Sequence, residues 1–92
     1  MSYDAVIQYA KANPDHLRHL DAMWELHNSN TEHWFTARMV MQRAGWRPNL
    51  TRFKTLGILL KVGGGAGSTG QVRYALADPQ GFEIALRELR RI

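Results

Sequence analysis

Five glycines fall within the eight residues Gly63–Gly70, between a helically patterned segment, LTRFKTLGILLKV, and an alternating one, QVRYALAD. Such a run suits neither a helix interior nor a central strand, because glycine loses more backbone freedom on folding than any other residue. The chain must therefore either turn back here or wrap a ligand. Gly65–Gly70 spell GAGSTG, a match to the G-x-G-x-x-G loop that holds pyrophosphate in dinucleotide-binding folds. That loop needs a strand before the glycines and a helix opening on them, so that the helix N-terminus supplies donors and field. Here the order is inverted, with the helical pattern first and the strand pattern after. A phosphate loop ending in Gly-Lys-Ser/Thr is ruled out as well, since no lysine follows Lys61. The spacing predicts a two-stranded ribbon with Ser68 and Thr69 at a polar tip. One strand lies around residues 61–64 and its partner over residues 71–77.

Capping residues divide the remainder into short helices. Ser2 opens a first helix with Ala5, Val6, Tyr9 and Ala10 at helical spacing. Asn13 as cap and Pro14 at the first helical position open a second, with Leu17, Leu20, Met23, Trp24 and His27 on its apolar side. NSNT (28–31) reads as a loop, and HWF (33–35) as a short third strand. Thr36 caps a helix whose inner face is Ala37, Val40, Met41 and Ala44, closed by Gly45 and Trp46. After the Arg47-Pro48 turn, Asn49 caps a helix expected to run to Lys61. Its inner face is Leu50, Phe53, Leu56, Gly57 and Leu60, and Thr51, Arg52, Lys54 and Thr55 face outward. Gly57 then sits inside a helix at a cost of ~1 kcal/mol that close approach of a neighbour would offset, and Ile58 is partly exposed. Val72, Tyr74 and Leu76 alternate with Arg73 and Ala75, placing Tyr74 inward and Arg73 outward. Asp78 and Pro79 open a last helix with Phe82, Ala85, Leu86 and Leu89 inward.

This order predicts a mainly helical α+β fold in one domain. An N-terminal helix (1–13) precedes a helical core (14–62), a wing (63–78) and a C-terminal helix (79–92). It is the order of a winged helix-turn-helix with an extra first helix and a two- to three-stranded antiparallel wing sheet.

Charge adds a partner class. The net charge is +4, yet residues 1–35 carry −3 (two Lys/Arg against five Asp/Glu) and residues 36–92 carry +7 (ten against three). Residues 33–77 hold no carboxylate while carrying Arg38, Arg43, Arg47, Arg52, Lys54, Lys61 and Arg73. Solvated faces normally mix signs, so a single-sign block of this length points to a polyanion.

Thr36-Ala37, Arg43-Ala44-Gly45-Trp46 and Val72–Pro79 (VRYALADP) give residues 33–90 a resemblance to winged-helix repressors of the arsenic-responsive type. The resemblance implies that the helix beginning at Asn49 enters a DNA major groove and that Gly63–Gly70 touches backbone or minor groove. The cysteine-rich metal sites of such repressors cannot be built here, since the chain has no cysteine. The expected function is sequence-specific binding of double-stranded DNA by a small transcriptional regulator, with no enzymatic step and no cofactor. Arg47, Thr51, Arg52 and Thr55 are expected at the groove, with Arg52 on a guanine. Arg38, Asn49, Lys54, Lys61, Ser68, Thr69 and Arg73 complete the contact set, with Lys54, Lys61 and Arg73 on phosphates. A homodimer is expected, since one module covers little DNA, with the first or last helix as its interface.

A second class competes: a winged-helix protein adaptor, or an inhibitor of a nucleic-acid-binding assembly, that ignores duplex. His16 and His19 at i, i+3 suit a metal pair, but no carboxylate or cysteine completes a set, so a metal site is not expected. Trp24, Trp34 and Trp46 are assigned to core packing rather than to base stacking. No nucleophile–base pair suggests catalysis. No apolar run approaches a membrane span and no secretory signal is present, so the expected location is the cytoplasm.

Overall fold

The computed structural model describes residues 2–63 and 72–91, so the Ser68–Thr69 tip of the glycine run lies outside the described residues. The elements, in order, are α1 (Ser2–Ala12), a 3-10 turn (Pro14–His16), α2 (Leu17–Ser29), α3 (Ala37–Ala44), α4 (Leu50–Thr55), β1 (Leu59–Gly63), β2 (Arg73–Leu76) and α5 (Pro79–Arg91). The fold is α+β and mainly helical. None of its helices is long and apolar enough to cross a membrane.

Local chemistry sets most of the boundaries. Thr36 Oγ1 accepts the Met39 N–H (3.3 Å), Asn49 Oδ1 accepts that of Arg52 (3.2 Å), and Asp78 Oδ1 accepts that of Gly81 (3.1 Å). Each satisfies an orphan donor of a first helical turn. Gly45 closes α3 at φ 96°. Asn13 does not cap forward as expected. Its Nδ2 instead donates back to the Tyr9 carbonyl (3.1 Å), closing α1 rather than opening the next turn.

The largest departure is α4, which ends at Thr55 instead of continuing to Lys61. Gly57 takes the left-handed conformation (φ 81°), its N–H bonds the Lys54 carbonyl (3.0 Å), and the Ile58 N–H bonds that of Phe53 (2.9 Å). This nested pair, with apolar contact across it, is the Schellman closure of a helix. Ile58 and Phe53 are both fully buried, so Ile58 is a core residue and not a partly exposed one. Gly57 needs no close neighbour; nothing lies within 4 Å of its missing methyl. From Leu59 the period changes to two. Leu60 and Val62 are consequently about half exposed rather than inward-facing, as is seen also, to a lesser degree, for Leu56.

β1 and β2 pair antiparallel, with Leu59 opposite Leu76, Leu60 opposite Ala75, Lys61 opposite Tyr74 and Gly63 opposite Arg73, after a bulge past Lys61. Leu59 and Leu76 face the core. The third strand is a single bridge, in which Phe35 exchanges both backbone bonds with Tyr74 (2.8 Å each). The core gathers Val6, Leu20, Met23, Phe35, Val40, Phe53, Ile58, Phe82 and Ala85, all fully buried. Tyr9 sets its ring edge-on to Phe53 (4.7 Å), and Ser2 Oγ donates to the Gly57 carbonyl (3.3 Å), so α1 is joined to the end of α4 at both its ends.

The two accounts of residue 57 predict opposite signs for Gly57→Ala. In a helix interior the change would stabilise by ~1 kcal/mol. At a left-handed helix terminus it destabilises by ~1 kcal/mol or more, and that loss is the expected outcome of a urea unfolding titration.

Candidate nucleic-acid interface

α3 and α4 are joined by a turn that α2 clamps from below. His19 is buried and donates its Nε2–H to the Trp46 carbonyl (3.0 Å), while its ring lies 3.8 Å from the Trp46 indole. His16 meets the same indole edge-on at 4.8 Å. Pro48 is buried, and between these two anchors Arg47 projects into solvent. Burial holds the His19 imidazole below the ordinary histidine range, and the nearby His16 acts in the same direction; the carbonyl contact only partly opposes them.

Two shallow depressions meet at Arg47. One is lined by Ala37, Arg38, Met41 and Arg47; the other runs between Arg47, Asn49 and Thr51 on one side and Val72 and Tyr74 of the β2 region on the other. Lys61 stands directly across from Tyr74, and paired residues of antiparallel strands share a face. On α4, Thr51, Lys54 and Thr55 lie at i, i+3, i+4 and form one outward stripe, with Thr55 Oγ1 donating to the Thr51 carbonyl (3.0 Å). The structure therefore brings Arg38, Arg47, Thr51 and Lys61 together around one surface, with Lys54 and Thr55 continuing it along the helix.

Arg52 is not part of that group. It lines a separate groove against α1 with Asp4, Gln8, Tyr9 and Asn13, where its charge favours the ionised form of the Tyr9 hydroxyl against the stronger, opposing effect of burial. Asn49 spends its side-chain oxygen on the helix cap. Arg73 turns from the Tyr74 side and lies over the Trp34 ring (4.6 Å).

Ion pairing separates the two sides of the molecule. The pairs among the described residues are Arg43–Glu25 (3.1 Å), Arg87–Glu83 (3.4 Å) and Arg90–Asp21 (2.6 Å). Of the seven cations in the acid-free block, Arg43 alone is matched. Arg38, Arg47, Arg52, Lys54, Lys61 and Arg73 are exposed, with no carboxylate partner among the described residues.

Sequence patterning assigns the three tryptophans to the core, and Trp24 does pack against it, stacking on Phe82 (6.2 Å) as well as on His27 (5.5 Å), its i, i+3 neighbour on α2. The other two depart from that expectation: Trp46 is 38% exposed and carries His19, and the half-buried Trp34 carries Arg73. Nothing in the residue spacing signals the partners of Trp34 and Trp46, which are joined only by tertiary contact. Among the described residues no group of three metal-ligating side chains is placed to hold an ion.

Comparison with protein-family models, with curated proteins and with solved structures returns no match to this chain. Function must therefore be argued from the surface itself.

Two outcomes are expected. Asn49→Ala removes the cap and should cost about 1 kcal/mol of stability. The pH dependence follows from His19, whose folded-state basicity is depressed. Its contribution is complete above the unfolded value near ~6.5 and is lost as the pH falls through the lower, folded value. Thermal unfolding followed downward from neutral pH should show this decline, and His19→Gln should make it shallower.

Proposed function

We propose that the chain is a winged helix-turn-helix protein that binds double-stranded DNA in a sequence-dependent manner, without an enzymatic step. The observation that carries this reading is the surface on which Arg38, Arg47, Lys54 and Lys61 stand without a carboxylate partner among the described residues, while the carboxylates lie in the first third of the chain or from Asp78 onward. Unpaired cations on a small protein repel one another, and a phosphate backbone relieves that repulsion while releasing counterions. The order α3, turn, α4, β1, β2 supports the same reading, because it is the order in which winged helices set a short helix in the major groove beside a hairpin.

The contact set differs from the sequence-based expectation at Arg52, at Asn49, whose side-chain oxygen caps α4, and at Arg73, which lies over Trp34. Arg47, at the clamped turn, and Thr51, at the start of the α4 stripe, take the base edges. Lys54, Lys61 and Arg38 take phosphates, and Arg52, turned toward α1, takes neither. Two symmetric copies would double the contacted DNA, so a homodimer on paired half-sites belongs to the proposal.

A protein-binding role has one observation in its favour. Leu60 and Val62 are half exposed on the outer side of β1, where apolar side chains suit another protein better than a phosphate. Salt titration of binding to random duplex separates the two. DNA binding requires a negative slope of log affinity on log salt of ~0.9 per phosphate neutralised; an adaptor gives no duplex binding to titrate. On a duplex selected from a random pool, Arg47→Ala should cost ~1–3 kcal/mol and relax preference at one position. Lys61→Ala should weaken all duplexes alike and reduce the slope by about one unit, whereas Arg52→Ala should leave the slope unchanged. An Arg52 effect equal to that of Lys61 would refute the assignment of faces.

A further inference from the structure

Aromatic rings on one flank of α2 form a stack from the core to the surface. Phe82 of α5 lies 6.2 Å from Trp24, Trp24 lies 5.5 Å from His27, and His27 lies 4.3 Å from His33, with interplanar angles of 24°, 14° and 22°. The outermost ring is mounted on unusual backbone. His33 is the one non-glycine residue at positive φ (60°) among the described residues, a conformation that persists only where neighbouring contacts hold it. Those contacts are its N–H on the Asn30 carbonyl (2.8 Å) and its Nδ1–H on the His27 carbonyl (2.6 Å). A carbonyl can only accept, so Nδ1 of His33 carries the proton of the neutral ring. Nδ1 of His27 is buried without a hydrogen-bond partner among the described residues, so a proton added at that atom finds no acceptor.

The next two residues connect this pair to β2. Trp34 presents its ring to the Arg73 guanidinium, donates its indole N–H to Glu32 Oε2 (2.5 Å) and accepts Asn30 Nδ2 at its carbonyl (3.0 Å). Phe35 makes the two-bond bridge to Tyr74. The loop over residues 30–35 is thus held at one end by the histidine pair and holds β2 at the other.

We propose that the His27–His33 ring pair is a proton-operated latch. Neutral, it keeps the 30–35 loop closed and Trp34 under Arg73; with both rings protonated, like charges 4.3 Å apart push the rings apart and the loop is released. The charged groups of the neighbouring elements have partners of their own, although the Glu32 carboxylate, one residue before His33, keeps its charge in its bond to a neutral indole. Glu25 is engaged by Arg43 of α3, Asp21 by Arg90 of α5, Glu83 by Arg87 within α5, Glu32 by the Trp34 indole, and Arg73 lies on that indole. Arg38 of α3 lines the Arg47 depression, Glu88 of α5 bonds Tyr3, and Asp15 and His16 lie at the opposite end of α2. Burial and then the charge of His33 are what bear on His27, and both hold it below the ordinary histidine range. The latch is therefore closed at neutral pH and opens on the acid side of ~6.5. Its consequence for duplex binding rests on the function proposed above, but the latch itself does not.

Proton NMR of the full chain without DNA tests it between about pH 7.5 and about pH 5. The Arg73 side-chain protons lie over an indole face and should be shifted upfield at neutral pH. In the wild type this shift should disappear as the pH falls, in step with the His27 ring signals. His27→Phe keeps a flat ring in the stack and removes the charge, so the shift should persist at low pH. His33→Asn, at an exposed position where asparagine tolerates positive φ, should also abolish the response and guards against a folding defect in the first variant. An Arg73 shift that does not move in the wild type, or that titrates identically in wild type and both variants, overturns the latch. Duplex affinity of wild type and His27→Phe at the two pH limits then bears on the other question. A latch that opens in NMR without altering duplex affinity upholds the latch and shows that the loop it releases takes no part in duplex binding.

Discussion

The fold turns on two residues, Gly57 and Ile58. A left-handed glycine stops α4 at Thr55 rather than at Lys61, where its apolar pattern would allow it to run, and the following isoleucine drops into the core against Phe53. That reversal starts β1 at Leu59, which fixes the phase of the strand. Leu59 then faces inward opposite Leu76, and Lys61 comes opposite Tyr74. A one-residue change in where the helix ends would exchange the two faces of β1 and move Lys61 away from the Arg47–Thr51 surface. Ser2, reaching the Gly57 carbonyl from α1, adds a partner at the same junction.

Features governed by neighbouring residues were legible in the sequence. Thr36, Asn49 and Asp78 cap the helices they were expected to cap, Gly45 closes α3, and the alternation through Tyr74 and Leu76 marks β2. The stretch Leu56–Val62 was not legible, because Leu-Gly-Ile-Leu-Leu satisfies a helical stripe and a strand equally well until the conformation of the glycine is known. Nor was the direction of Arg52 legible, because which side of α4 faces a groove depends on where α1 packs, and α1 takes the Arg52 side. Asn13 was misread because an asparagine before a proline can serve either the helix it follows or the one it precedes. The partners of Trp34 and Trp46 had no local signature at all.

Charge is sorted in three dimensions more sharply than along the chain. The acid-free block contributes one arginine, Arg43, to α2, turns Arg52 toward α1 and Arg73 onto Trp34, and keeps Arg38, Arg47, Lys54 and Lys61 for the surface built by α3, α4 and β1. The histidines follow a different logic. His19 under the interhelical turn is buried and His27 in the ring stack half-buried, and each has a buried Nδ1 left without a partner among the described residues. Burial lowers the basicity of both rings, at two places where α2 supports the rest of the fold.

The pairing of α1 with α5 has a kinetic consequence. The Tyr3 hydroxyl meets the Glu88 carboxylate across a sequence span of 85 residues, and Val6 is fully buried in a core that also needs Phe82 and Ala85. A mostly helical chain ordinarily folds quickly because its contacts are local; here the core stays open until the last helix returns to the first. On a ribosome, a nascent chain that has reached only Leu76 would carry α1 with its apolar side unsealed. Docking of α5 is thus the closing step of folding for this core, and until it emerges the chain is a client for whatever guards exposed apolar surface.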